Sequence, residues 1–143
     1  MDYTLLSING NLRPGTKETL QQLKEDGHHL HIWSGIGIRR TEVQRLELDI
    51  YVDGVYEKPV QDYQRQLDAR VRRQEIPTHP DLIVDDYPEI VSALGGIVVR
   101  PYLHSDMNDK EMEKVYQIIR EYQINGHSRD PAFRPQREDL EPI

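Results

Sequence analysis

A three-layer α/β domain built on a mostly parallel sheet of about five strands is the fold class this sequence predicts. Two observations predict it. Short β-rich runs alternate with helical patterns along the chain, which is the signature of βαβ units. The apolar runs also end in Ser, Gly, Lys or Asp, as strands do where an α/β sheet presents its chemistry.

The elements follow in order. "YTLLSI" (3–8) reads as a first strand, and "TKETLQQLKEDG" (16–27) as a helix with Leu20 and Leu23 on one face and Gly27 as its stop. "HLHIWS" (29–34) is a second strand, "IRRTEVQRLEL" (38–48) a second helix and "DIYVDG" (49–54) a short third strand. Pro59 suits the first turn of a third helix over 59–74. "DLIVDD" (81–86) is the cleanest strand, running into paired aspartates. Pro88 opens the next helix and Gly95–Gly96 end it, before a fifth strand over 96–102. The longest helix is expected over 106–124, with Met112, Val115, Ile118, Ile119 and Tyr122 along one stripe. One core domain over 1–124 is therefore expected. Residues 125–143, polar and aperiodic, are expected to form an extended or disordered tail, or an arm docking on a neighbouring subunit through Phe133.

The bulk properties exclude several classes. The net charge of −7 argues against a general nucleic-acid binder. No apolar run approaches the ~18–20 residues a membrane span needs. Neither a membrane partner nor a signal peptide is expected, and the default location is cytoplasmic. With no Cys there is no disulfide, thiolate metal site or Cys nucleophile.

Chemistry concentrates where the expected strands end. There stand Ser7, Asn9 and Gly10, then Ser34 and Gly35, then Lys58, then Asp85 and Asp86. A phosphate suits a hydroxyl, an ammonium and backbone N–H groups at helix starts. Paired carboxylates beside it suit Mg²⁺, which takes one or two of them together with phosphate oxygens.

Four motifs, "SINGN", "IWSG", "EKP" and "IVDD", stand in order over residues 3–102. In order and spacing they resemble the haloacid dehalogenase (HAD) superfamily of phosphohydrolases, in particular its small hydrolase-type members. The resemblance implies a Rossmann-like HAD core, with Ser34, Gly35 and Lys58 binding phosphate and Asp85 and Asp86 facing the metal. No insertion is long enough for a cap domain. The family's nucleophile and acid/base aspartates fall at Ser7 and Asn9, which are not carboxylates. A serine hydroxyl needs a base to take its proton, and an amide cannot serve as one. Loss of the acid/base alone is commonly worth ~10²–10⁴ in rate. Rescue by His28, His29 or His31 is geometrically poor, because His29 lies roughly 15 Å from Ser34 along an extended strand.

The expected function is thus an inactive or severely impaired HAD-like protein that keeps a phosphate pocket. Its Mg²⁺ binding would be weakened, since two carboxylates are lost. Its partner would be inorganic phosphate, or a phosphorylated small molecule or macromolecule, with homo-oligomerisation left open. The alternatives are a Mg²⁺-dependent phosphatase of weak or unconventional activity and a structural or assembly protein with a vestigial pocket.

Overall fold

The computed structural model describes residues 1–137. The chain is mixed α/β: α1 (Thr16–Glu25), β1 (His31–Ser34), α2 (Arg40–Arg45), β2 (Gly54–Glu57), α3 (Tyr63–Arg72), β3 (Ile83–Asp85), α4 (Pro88–Leu94), β4 (Gly96–Val98), α5 (Glu111–Asn125) and β5 (Phe133–Arg134). Leu20 and Leu23 of α1 are buried along one face, as their spacing requires. Helix α5 starts five residues later than its apolar stripe suggests. Asp106 accepts the Asn108 N–H and Asp109 the Glu111 N–H, and these local bonds hold 106–110 in turns instead of helix. Similarly, α3 begins only at Tyr63, after Asp62 at φ 44°, so Pro59 lies in the preceding loop.

Among the described residues five strands form, but not one parallel sheet. β1 and β2 pair in parallel as a two-stranded sheet, with Ser34 opposite Glu57. β3 and β4 pair in parallel, and β5 adds antiparallel to β4, giving a separate three-stranded sheet. A Cβ at Gly96 would collide with the Ile83 backbone, so only glycine permits β3 and β4 to approach at that point. The third strand lies at 54–57 instead of 49–54, because Tyr51 N–H turns back to the Leu48 carbonyl and ends any extension there.

The expected first strand is the main departure, and it explains the divided sheet. Residues 3–8 coil into turns, with Tyr3 at φ 62°. Backbone accounting gives the reason. The Met1 carbonyl accepts from the Leu5 and Leu6 N–H groups, the Tyr3 carbonyl from Tyr102 N–H, and the Leu5 carbonyl from Arg13 N–H. The Thr4 carbonyl accepts from the Arg13 guanidinium at 3.0 Å. With these acceptors committed to loops and a side chain, none is offered to β1 or β3. Leu5 and Leu6 are nonetheless buried, lying where the hydrophobic pattern puts them but without the extended backbone. Residues of both sheets line a cavity of about 580 Å³, among them Ile32 and Ile83 together with Leu5, Leu30, Met112 and Val115.

Residues 125–137 do not form a free tail. Gly126, left-handed at φ 69°, ends α5, and the chain returns to lay β5 along β4, with Ile97 opposite Phe133. Phe133 is buried in the same chain's core, against Tyr122 at 5.7 Å and His127 at 5.3 Å between ring centroids. It is therefore not an exposed anchor for a neighbouring subunit. Phe133 and Ala132, both buried, and the pairing with β4 dock a segment too short to show periodicity. The rest of the expected tail, 138–143, lies outside the described residues.

Candidate functional site at the carboxyl ends of the strands

Lys58 follows β2 directly and Asp85 closes β3, so the two sheets meet here through their side chains. The Lys58 ammonium Nζ lies 3.0 Å from Asp85 Oδ2, with the carboxylate side chain 2% exposed and the lysine 19%. Asp85 Oδ1 accepts the Tyr87 N–H at 3.0 Å, so both its oxygens have partners. A charge this deeply buried requires such compensation.

Ser34 ends β1 beside this pair. Its carbonyl accepts the Lys58 N–H at 2.9 Å, fixing where the lysine leaves the backbone. Its hydroxyl oxygen accepts the Ile36 N–H at 3.4 Å. A Cβ at Gly35 would press on Val60 Cγ1 at 3.1 Å and reach Lys58 Cε at 3.6 Å, so the absent side chain leaves room for the lysine stem. Ser34, Gly35, Lys58 and Asp85 are thus gathered at one place. Asp86 sits next to them along the chain but turns to Thr4, whose hydroxyl donates to Oδ1 at 2.8 Å and accepts the Asp86 N–H at 3.2 Å.

Ser7 and Asn9 stand in the loop that precedes α1. Ser7 is buried and its Oγ accepts the Asn11 N–H at 3.1 Å, while Gly10 N–H closes a turn on the Ser7 carbonyl. Asn9 is exposed. Among the described residues no hydrogen bond links either one to Ser34, Lys58, Asp85 or Asp86. The histidines stand at the far end of β1: His31 opens the strand that Ser34 closes, and His29 faces Asp53 at 3.6 Å.

The chain matches no protein-family model, no curated protein and no solved structure, so its own residues carry the interpretation of this site.

Sequence inspection missed two residues that hold the site's scaffold. Thr4 is one, through its two bonds to Asp86. Arg13 is the other: fully buried, it grips both Asp109 oxygens at 2.8 and 3.0 Å and donates to the carbonyls of Thr4 and Arg100. Its guanidinium also lies 5.2 Å from the Tyr102 ring centroid. Burial pushes the Asp109 carboxyl upward, but the Arg13 hydrogen bond, the Glu111 N–H and the Arg13 charge outweigh it and hold the group below its usual range. In sequence, "LRPG" reads only as a turn, and its acidic partner is 96 residues away.

Three of the four carboxylate oxygens of Asp85 and Asp86 already accept hydrogen bonds within the protein. Lys58 and Tyr87 N–H occupy the two Asp85 oxygens, and Thr4 holds Asp86 Oδ1. Among the described residues no group of three or more His, Asp or Glu side chains is disposed to hold a metal.

Proposed function

We propose that this chain is a capless, HAD-like protein that binds a phosphate-type anion at Ser34, Gly35 and Lys58 and does not hydrolyse it. The observation that carries this proposal is the Lys58–Asp85 ion pair standing beside Ser34, at the carboxyl ends of strands from both sheets. An ammonium has three N–H donors and Asp85 takes one, leaving two for phosphate oxygens. The Ser34 hydroxyl can donate its proton, since the Ile36 contact uses only a lone pair.

Chemistry is a separate matter from binding. Attack on phosphorus through an aspartyl intermediate needs a carboxylate where Ser7 stands, and proton transfer to the leaving group needs one where Asn9 stands. A hydroxyl that accepts a backbone N–H and has no carboxylate or imidazole hydrogen-bonded to it is not an activated nucleophile. Ligands of this pocket would be inorganic phosphate or a phosphorylated small molecule or macromolecule.

Turnover tests the proposal. Wild-type protein with Mg²⁺ is expected to show no hydrolysis of an aryl phosphate above background, with Ser7→Asp/Asn9→Asp gaining some. Robust wild-type hydrolysis abolished by Asp85→Asn would overturn it.

A further inference from the structure

The rim of this face has a composition of its own. Of the ten large hydrophobic residues exposed among the described residues, six lie in the loops at the carboxyl ends of β1 to β4, and a seventh, Ile8, lies in the loop before α1. Each of these strand-end loops contributes: Ile36 and Ile38 after β1, Val60 after β2, Tyr87 after β3, and Leu103 with Met107 after β4. Three are tied to the site residues themselves. Ile36, 73% exposed, bonds Ser34 Oγ through its N–H; Val60 packs over Gly35; Tyr87 N–H holds Asp85. The loop that holds Ile8 is joined to the loop after β4 by the Ile8 N–H bond to the Leu103 carbonyl.

Unpaired carboxylates outnumber unpaired cations around this apolar rim. Glu57, Asp62, Asp86, Glu89 and Asp106 stand in or beside the same loops, and among the described residues none of them meets a basic side chain in an ion pair. Of the nearby cations, Lys58, Arg39 and Arg45 are engaged by Asp85, Asp2 and Glu42, which leaves Arg40 and Arg65, at the starts of α2 and α3, as exposed cations in no ion pair among the described residues. Tyr87 joins both features in one place, since its exposed ring carries a hydroxyl that donates to Glu89 at 2.8 Å. An aromatic face beside a carboxylate suits an Arg or Lys side chain.

We infer that this loop face docks a segment of another protein bearing apolar side chains among lysines and arginines. Charge complementarity selects that occupant. A second copy would bring the same acidic rim against itself, and an anionic lipid surface would be repelled. The inference concerns the rim and does not depend on phosphate entering the pocket.

Fluorescence anisotropy with labelled amphipathic peptides tests it, using a Leu/Lys peptide and a Leu/Glu peptide of the same pattern. The Leu/Lys peptide should bind about tenfold or more tighter than the Leu/Glu peptide, and added salt should weaken it. Ile36→Ser/Val60→Ser should remove most of that binding, whereas Ile124→Ser, on exposed α5 surface away from the loops, should not. Equal binding of the two peptides, or equal loss in the rim and α5 variants, would overturn the inference. So would sedimentation showing a dimer that Ile36→Ser/Val60→Ser dissolves, since the occupant would then be a second copy. Adding inorganic phosphate separates the two proposals: a failed pocket leaves peptide binding intact, and a failed rim leaves phosphate binding intact.

Discussion

The Lys58 ammonium and the Asp85 carboxylate, 3.0 Å apart, form a side-chain bridge between two sheets that share no backbone ladder. Because Asp85 is buried, Lys58→Met leaves a carboxylate without its counter-charge and should destabilise the fold by about 3 kcal/mol. Lys58→Met/Asp85→Asn should recover part of that loss, with a coupling of about 1–3 kcal/mol in a double-mutant cycle read by urea unfolding. Additive effects of the two substitutions would show that the pair is not coupled.

Arg13 and Asp109 should govern part of the acid response. The Asp109 carboxyl is held below its usual value in the folded state. Its contribution is therefore fully present above the unfolded carboxylate pKa of about 3.9 and is lost as pH falls through the lower folded value. Asp109→Asn should flatten the fall in unfolding free energy between mildly acidic pH and that window. An unchanged acid limb in the variant would contradict the assignment. Arg13→Met, which leaves Asp109 buried without its charge partner and frees the Thr4 and Arg100 carbonyls, should cost about 3–5 kcal/mol.

Phe133 should prove part of the core. Phe133→Ala is expected to cost about 3–5 kcal/mol, the range for deleting a buried aromatic. Thermal and urea unfolding would measure it, and a change within about 0.5 kcal/mol, the usual surface effect, would mean that β5 is not docked in solution.

The helices and the strands at 31–34 and 83–85 were legible because local signals agree there. α1 has its leucines one turn apart, and α4 opens on Pro88 and stops at Gly95. The first strand was not legible as coil, because what decides it is non-local. "YTLLSI" has strand composition, but its carbonyls are claimed by Arg13 and by Tyr102 N–H from across the chain. The docking of Phe133 escaped for a similar reason: a two-residue strand has no period to detect. Of the candidate site, Ser34, Gly35, Lys58 and Asp85 could be placed together because each ends a strand or directly follows one. Thr4 and Arg13 could not, since their partners Asp86 and Asp109 lie 82 and 96 residues away.

Calorimetric titration of inorganic phosphate into wild-type protein and Lys58→Met, with circular dichroism confirming that the variant is folded, tests the central claim most directly. Saturable binding to the wild type that is lost in Lys58→Met is the predicted result. No binding to the wild type, or binding that survives the substitution unchanged, would contradict a phosphate pocket built on Lys58.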